Sequence, residues 1–371
     1  MSKGLEDVVA GTSAITFIDG ARGRLVYRGY DISDLVDHSN YEEVAYLLWH
    51  ERLPKPDEFK LFTKDLVSKR KIPAGVRSSL DSLSYDCDTM DALEMAIAAL
   101  GIYDDPHLPL DEKAASIASK IGSMVAYIHR HKYQLPQLEP RSDLGFAADF
   151  LYMVTGEVPD RASEKLMDVL FVLHADHELN ASTFTARVVA STLSDVYSSV
   201  TAAVAALKGP LHGGANERVV EMVQEIGSPD RAESYIHERL ARKEKIMGFG
   251  HRIYKTNDPR AKILRAYAGE IVSSDEERKN LAILDRLAEV MIREKGIYPN
   301  MDFYTGFILH HLRIPTYLFT PIFAVGRTPG WLAHVMEQYA DNRIIRPIAE
   351  YVGPKDAVYI PMELRSGNIV A

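Results

Sequence analysis

The stretch "IMGFGHRIYKTNDPRAKIL" (residues 246–264) places a glycine-rich loop and a histidine in front of a strong helix start. His251 follows a Gly-Phe-Gly sequence, and glycines permit positive φ angles and a close approach of the backbone to a ligand. Asp258 and Pro259 predict the helix start, because Asp caps a helix and Pro suits its first position. Arg260 then lies in the first turn, where a cation is unfavourable unless an anion lies beside it. We therefore expect His251 to polarise a carbonyl of a bound substrate and Arg260 to hold a carboxylate of the same substrate.

Helical periodicity extends outward from this stretch in both directions. The segments "EKAASIASKIGSMVAYIHRH" (112–131), "SEKLMDVLFVLHADHELN" (163–180) and "SDEERKNLAILDRLAEVMIREKG" (274–296) each have an apolar stripe at helical spacing. Only residues 13–32 alternate like strands around a glycine-rich turn, which predicts one short hairpin. Serial helices without intervening strands argue against a Rossmann fold or a TIM barrel. We predict an all-α protein with one short N-terminal β-hairpin.

A change in charge predicts two domains. Residues 214–307 are much more charged than the segments before them, and two glycine-containing segments, "KGPLHGGAN" and "NMDFYTG", bracket them. We predict a small helical domain at 214–307, inserted into a large domain formed by 1–213 and 308–371. Hinges at the brackets would allow closure over a substrate.

The composition limits the classes of function. A formal net charge of −9 argues against a general nucleic-acid or membrane-surface role, since both need a basic field. The single cysteine cannot form a disulfide within the chain, which is typical of a reducing compartment. The segment "MSKGLEDVVAG" lacks an apolar signal core, and no run approaches the roughly 18 apolar residues of a membrane span. We expect a cytoplasmic protein with no nucleic-acid or membrane partner.

Two further loops carry side chains suited to acid–base chemistry. His212 lies in "LKGPLHGGAN" (207–216) between two predicted helices, either near a ligand or simply in an exposed turn. Asp302 lies in "YPNMDFYTG" (298–306), which we interpret as a short non-helical connection. Apolar neighbours raise the pKa of a carboxylate, so Asp302 is a candidate base. The alternative is an aspartate that only caps a helix.

Three arginines share a position beside proline-marked junctions. Arg260 follows Pro259, Arg327 in "VGRTPGW" precedes a predicted Thr-Pro helix start, and Arg346 directly precedes Pro347. Arginines and helix starts are both common, so chance explains part of this pattern. The functional interpretation is a cluster that binds a dicarboxylate.

The segment "LHADHELN" offers a possible metal site. His174 and His177 lie on the inward stripe of a predicted helix, with Asp176 between them. Zinc sites need a third ligand, and helical pairs usually have i, i+4 spacing, so this pattern is weak. We expect His174 to be a satisfied core histidine, expect His177 to reach a pocket, and predict no metal. A metal-dependent hydrolase is the alternative.

Taken together, these motifs resemble the citrate synthase family. The pattern "GFGHRIYKTNDPR" has the form of the family signature, and "LHADHELNAST", "KGPLHGGAN", "NMDFYTG" and "VGRTPGW" accompany it in the family's order. The resemblance covers nearly the whole chain and is greatest to the short dimeric bacterial and archaeal type. It implies the citrate synthase fold, with a large and a small domain, and a homodimer.

The resemblance also implies an activity and three catalytic roles. The family is an acyltransferase of the tricarboxylic acid cycle that condenses acetyl-CoA with oxaloacetate and water, giving citrate and CoA through an enolate and citryl-CoA. Asp302 would remove a methyl proton from acetyl-CoA. His212, as a neutral donor, would bind the developing enolate oxygen, and His251 would polarise and protonate the ketone. No cofactor besides the substrates is implied.

The remaining family positions are binding residues. The carboxylates of oxaloacetate would be bound by His177, Arg260, Arg327 and Arg346, the last reaching across the dimer. CoA would lie along the glycine-rich loop and be bound by Met247, Gly248, Phe249 and Lys255. Whether Lys255 or Arg365 meets the CoA phosphates stays open.

Two other readings remain. A 2-methylcitrate synthase resembles the short bacterial type throughout and uses the same residues on propionyl-CoA, and one extra methylene changes binding by only about 1–3 kcal/mol. A non-catalytic helical protein would keep the helices without needing Asp302, His212 and His251 together.

Overall fold

The computed structural model describes residues 3–5 and 8–365. Sixteen α-helices account for most of these residues. The first eight are α1 (Ile32–His38), α2 (Tyr41–His50), α3 (Pro56–Lys69), α4 (Ala74–Asp81), α5 (Thr89–Tyr103), α6 (Leu110–Lys132), α7 (Phe146–Thr155) and α8 (Arg161–His174). The others are α9 (Ala181–Ala190), α10 (Val196–Lys208), α11 (Ala215–Ile226), α12 (Ala232–Ala241), α13 (Pro259–Ile271), α14 (Asp275–Lys295), α15 (Met301–His311) and α16 (Phe319–Ala340). The predicted helical fold is confirmed.

A small antiparallel sheet precedes the helices. Its strands are β1 (Thr16–Asp19), β2 (Arg24–Tyr27) and β3 (Tyr30–Asp31), in that spatial order. Thr16 pairs with Tyr27 and Asp19 pairs with Arg24, so β1 and β2 form the predicted hairpin. The short strand β3 pairs antiparallel with β2, which makes the hairpin a three-stranded sheet.

Helices α10 and α16 lie at the centre of the first packing group. Helix α10 packs against α5, α9 and α16, while α16 also contacts α2, α6 and α8. Small residues allow this close approach, since a Cβ on Gly101 of α5 would lie 2.9 Å from the Cβ of Tyr197 in α10. In the described part of the chain, no helix combines the length and apolar character needed to cross a membrane.

The helices between residues 214 and 311 form a second packing group. Helix α12 packs on α14, and α11 and α13 both pack on α15. The proposed boundary at residue 307 falls inside α15. The division into a small domain at 214–307 and a large domain at 1–213 and 308–371 stays a prediction.

Helix α16 corrects one expectation from sequence. A helix start was expected after Arg327, but α16 begins at Phe319 and contains Pro329 in its interior. A proline lacks the N–H that would bond to the carbonyl four residues earlier. Here the Tyr41 hydroxyl donates to that carbonyl, on Val325, at 2.7 Å. Arg327 therefore lies within a buried helix rather than at a helix start.

Candidate active site

The glycine loop (residues 246–251) is attached to the segment that leads into α15. Gly248 and Gly250 adopt φ angles of 78° and 80°, which favour glycine. The Gly250 N–H donates to the Tyr298 carbonyl at 2.9 Å, and the Asn300 N–H donates to the Gly248 carbonyl at 2.9 Å. The Asn300 side-chain amide donates to the Gly250 carbonyl at 3.1 Å. These bonds hold the first turn of α15 beside the glycine loop.

Asp302 lies in that first turn, not in a non-helical connection as expected. The cap is Asn300, whose side-chain oxygen accepts the Asp302 N–H at 3.1 Å. The Asp302 carboxylate is thus free of a capping role. Burial raises its pKa to about 6, against the lowering effect of Arg260 and Arg327. A carboxylate with this pKa is a stronger base than an exposed aspartate.

The backbone around His251 fixes its protonation. Its Nδ1 accepts the N–H of Ile253 at 3.0 Å and the N–H of Tyr254 at 3.3 Å. Because a backbone N–H can only donate, Nδ1 carries the lone pair and the ring proton lies on Nε2. Burial, followed by the charge of Arg260, lowers the pKa of His251 to about 4. The ring is a neutral donor through Nε2.

His212 is a neutral donor of the opposite tautomer. Helix α10 ends at Lys208, as predicted, and the following loop carries the ring to the N-terminus of α9. The Ser182 N–H donates to His212 Nε2 at 3.3 Å, and the Ser182 hydroxyl oxygen lies 3.0 Å from the same atom. The ring proton therefore lies on Nδ1. Burial and the charge of Arg327 lower the pKa of His212 to about 4.

His177 faces His251, whereas His174 belongs to the core. The rings of His177 and His251 have centroids 5.0 Å apart, and His177 Nε2 lies 3.2 Å from the Tyr254 hydroxyl. Burial, then the charge of Arg260, holds the pKa of His177 well below its usual value. His174 is buried, as expected, and its Nδ1 lies 2.7 Å from a carbonyl one turn earlier in α8. Within the described residues its Nε2 is buried without a hydrogen-bond partner, so His174 is not the fully satisfied histidine that was expected.

The guanidinium of Arg260 forms a buried ion pair with Asp258 of the same helix start. Asp258 caps α13 and Pro259 occupies the first helical position, as predicted. The Asp258 carboxylate also accepts two bonds from the Arg260 guanidinium, from Nε at 3.0 Å and from Nη2 at 2.8 Å. Burial lowers the pKa of Arg260, but the attraction of Asp258 outweighs it and keeps the group charged. The helix cap therefore holds the buried arginine in a fixed orientation.

Arg327 is buried with an unused donor. Its Nε donates to the His174 carbonyl, and its guanidinium lies 5.0 Å from the centroid of the Phe323 ring. Within the described residues, Nη1 is buried and has no hydrogen-bond partner. Burial lowers the pKa of Arg327 to about 10, while Asp176 acts in the opposite direction. A buried donor without a partner is costly, so this position suits an anionic ligand.

The role of Asp176 was not predicted from the sequence, in which this residue was considered only as a metal ligand. Its Oδ2 accepts the Thr16 hydroxyl of β1 at 2.5 Å and lies 3.2 Å from His334 Nε2. Burial would raise the pKa of Asp176, but His334 and Arg327 keep it lowered. Asp176 is therefore a buried carboxylate whose charge is opposite to that of Arg327 and stabilises it. Thr16 and His334 are each more than 150 residues away from Asp176, so no local pattern indicated these two contacts.

Six of the proposed residues are linked by their electrostatic influence on one another. Arg260 and Arg327 both act on the pKa of Asp302 and of His177, Arg260 acts on His251, and Arg327 acts on His212. We call this group the central cluster: His177, His212, His251, Arg260, Arg327 and Asp302.

The remaining proposed residues lie around or away from the central cluster. Gly248 is buried, Met247 and Phe249 are half-buried, and the Phe249 ring packs against Phe303 at 4.6 Å. Lys255 is exposed and lines a cavity of about 320 Å³ that adjoins His251. Arg346 is exposed in the segment after α16, and the single chain does not bring it to the central cluster.

The sequence of the chain matches a known protein family. The model of the family described as "Citrate synthase, C-terminal domain" matches residues 4–348. The chain belongs to the citrate synthase family. The predicted family and the predicted acyltransferase class are therefore confirmed.

Citrate synthases from distant organisms share both sequence and fold with this chain. "Citrate synthase 2" of Bacillus subtilis is 45% identical, covering 98% of this chain and 99% of that protein. A "2-methylcitrate synthase" of Mycobacterium tuberculosis is 40% identical, covering 96% and 92%. The citrate synthase of Thermoplasma acidophilum, solved with carboxymethyl coenzyme A and oxaloacetate, has a TM-score of 0.93 at 34% identity and covers 98% and 99%.

Proposed function

We propose that the central cluster condenses acetyl-CoA with oxaloacetate and water to give citrate and CoA. The observation that carries this proposal is that two buried arginines act on both a carboxylate of raised pKa and two neutral histidines. Asp302 supplies the base, while His212 and His251 each present one fixed N–H. Enolate formation needs a base and a placed donor in the same site.

In the proposed first step, Asp302 removes a proton from the methyl group of acetyl-CoA. The thioester oxygen gains the negative charge and accepts a hydrogen bond from His212 Nδ1–H. The loss of one such donor typically costs about 3 kcal/mol, because the charge develops where water cannot solvate it. Burial favours this arrangement by keeping His212 neutral without a metal or cofactor in the step.

In the second step, the enolate carbon attacks the ketone carbon of oxaloacetate. A carbon–carbon bond forms, the ketone oxygen takes the proton of His251 Nε2, and citryl-CoA results. The proton that Asp302 removed is then lost to solvent and His251 takes one back at Nε2, so that both side chains regain their starting forms. Water then cleaves the thioester, so that citrate and the CoA thiol leave. The fixed N–H of His251 supports its role as the acid.

The two buried arginines and His177 suit the carboxylates of oxaloacetate. Arg327 offers the unused Nη1, and Arg260 is oriented by Asp258. The related Thermoplasma acidophilum enzyme was solved with oxaloacetate and a CoA analogue, which supports both ligands as substrates here. For CoA we propose the glycine loop, through Met247, Gly248 and Phe249, with Lys255 at the cavity beside it.

We further propose a homodimer in which Arg346 enters the partner's site. The segment from 341 to 365 has no α-helix and exposes apolar side chains, among them Ile348 at 87%, Val352 at 91% and Val358 at 85%. Exposed apolar residues on an extended segment favour coverage by a second copy. We also propose that the small domain closes over the bound substrates. We propose a cytoplasmic location, because a single cysteine is typical of a reducing compartment.

One assay tests the reaction and its acyl specificity. The protein is mixed with oxaloacetate and either acetyl-CoA or propionyl-CoA, and free thiol is followed over time. We expect the larger kcat/KM with acetyl-CoA. A larger value with propionyl-CoA favours the alternative, 2-methylcitrate synthase, which the Mycobacterium tuberculosis relative represents. If neither substrate releases thiol, both proposals are wrong.

The Asp302→Ala variant tests, in the same assay, whether Asp302 is the base. The helix cap of α15 is Asn300, so the substitution leaves the cap in place and far-UV circular dichroism should not change. Turnover should fall by roughly 10²–10⁴-fold, the usual contribution of a general base. An Asp302→Ala protein with near-normal turnover would show that another group removes the proton.

A further inference from the structure

The turn between β1 and β2 packs directly on the segment that follows His251. The Gly20 carbonyl accepts the Lys255 N–H at 2.9 Å. A Cβ on Gly20 would lie 2.2 Å from the Ile253 carbonyl oxygen, a distance that real structures do not tolerate. This backbone-to-backbone contact therefore requires glycine at position 20.

The segment in contact with the turn is the one that holds the His251 ring. Ile253 and Tyr254 donate the two backbone N–H bonds to His251 Nδ1. The carbonyl of Ile253 faces Gly20, and the N–H of Lys255, two residues later, donates to the Gly20 carbonyl. The Ile253 carbonyl and the Tyr254 N–H belong to the same planar peptide unit. A displacement of that carbonyl by a side chain at position 20 would therefore also move the Tyr254 N–H and change the support of the ring.

The same sheet is fixed at the His177 side of the central cluster. Thr16 of β1 donates to the Asp176 carboxylate at 2.5 Å, and the Tyr27 hydroxyl of β2 donates to the Asp176 carbonyl at 2.8 Å. The β1–β2 hairpin therefore spans from the residue before His177 to the residues after His251. It connects two segments that lie far apart in the chain.

We propose that the β1–β2 turn is a positioning element, in which Gly20 sets the orientation and tautomer of His251 through the backbone from Ile253 to Lys255. The catalytic consequence rests on the proposed function of His251. The positioning itself does not rest on that function, because it concerns only the orientation of the ring and which ring nitrogen bears the proton.

The Gly20→Ala variant tests this proposal. The new methyl group displaces the Ile253 carbonyl, and a shift of about 1 Å in a catalytic group can cost on the order of a hundredfold in rate. We expect kcat to fall at least about tenfold, while the Kd of oxaloacetate changes less than about threefold because Asp258 still orients Arg260. In ¹⁵N spectra of histidine-labelled protein, the signals of the His251 ring should shift or show tautomer exchange.

Arg22→Ala is the control, since this side chain of the same turn is 84% exposed and its ion pair with Asp19, at 3.6 Å on the surface, contributes little. It should leave kcat and the ring signals unchanged. A folded Gly20→Ala protein with wild-type kcat and ring signals overturns the proposal. Equal losses of kcat and of oxaloacetate affinity would also overturn it, because they indicate a general distortion.

A second pair of variants tests the turn without a new clash. The Asp19 Oδ1 accepts the N–H groups of Ala21 at 3.1 Å and Arg22 at 3.0 Å and so shapes the turn. Asp19→Ala should lower kcat several-fold, and Asp19→Asn, which keeps the carbonyl acceptor, should restore it. Equal kcat values for the two variants contradict the proposal.

These experiments separate the two levels of inference. If wild-type protein releases no thiol from either acyl-CoA, the proposed function fails. The ring signals of His251 in Gly20→Ala and Asp19→Ala still decide whether the turn positions the ring.

Discussion

At the scale of single residues, the pKa of Asp302 predicts how activity depends on pH. Burial raises this pKa to about 6, whereas burial lowers the pKa of His212 and of His251 to about 4. The base must be deprotonated, so kcat/KM should be half-maximal near pH 6, nearly constant above about pH 7 and about tenfold lower per pH unit well below pH 6. Both histidines stay neutral over this range and add no further step.

This prediction is checked by measuring kcat/KM between about pH 4.5 and 8.5, with far-UV circular dichroism at the acid end as the control for folding. Because kcat/KM reports the free enzyme, the midpoint should be that of Asp302 in the empty site. A kcat/KM that stays constant down to about pH 4.5 would contradict the role of Asp302, because a base with a pKa of about 6 is mostly protonated there.

At the scale of elements, local signals predicted some helices well and others poorly. The start of α13 followed from two adjacent residues, Asp258 and Pro259, because a cap acts within one turn. The start of α16 did not, because a hydroxyl on α2, far away in sequence, accommodates Pro329. The helical position of Asp302 was missed for the related reason that Asn300, not Asp302, is the cap.

The site shows the same limit. Motif spacing identified the members of the central cluster one by one, but not the contacts that tune them. The counter-charge Asp176 depends on packing rather than on local pattern. The ion pair of Asp258 with Arg260 joins residues only two apart, but it was not predicted because Asp258 was considered only as a helix cap. The tautomers of His212 and His251 likewise follow from backbone N–H groups that only the folded chain places.

The contact between α16 and the end of α8 yields an element-scale prediction. A Cβ on Gly330 would lie 2.2 Å from the Ala175 carbonyl oxygen and 2.5 Å from Asp176 Oδ1. Gly330→Ala should therefore force apart the helix that carries Arg327 and the segment that carries His177. Overpacking typically costs about 1–3 kcal/mol, so we expect a lower Tm. The Kd of oxaloacetate should rise on the order of tenfold.

Gly269→Ala is the matched control, because it also places a methyl group on a helix. Gly269 is exposed on α13, and the nearest atom to its new Cβ is Nη1 of Arg265, at the end of a flexible side chain. This variant should keep wild-type affinity and gain up to about 1 kcal/mol of stability from helix propensity. Wild-type Tm and Kd in Gly330→Ala would show that the two elements adjust without cost.

At the scale of the whole molecule, one proposed binding residue lies outside the site of its own chain. Arg346 follows α16 on an extended segment whose apolar side chains are exposed. From one sequence, Arg346 is recognisable only as another arginine beside a proline. A contact between two chains leaves no pattern of spacing within the sequence of either chain. A shared site makes a specific prediction for mixtures of variants.

Arg346→Ala and Asp302→Ala homodimers should each lose most of their activity. In a mixed dimer, the Asp302 of the first variant chain meets the Arg346 of the second, which restores one intact site of two. Random assortment makes half of the dimers mixed, so co-expressed variants should regain roughly a quarter of wild-type turnover. Mixing the purified homodimers without subunit exchange is the control and should restore nothing. If Arg346 instead serves its own chain, every site in a mixed dimer lacks one residue, and co-expression leaves the activity at the level of the separate variants.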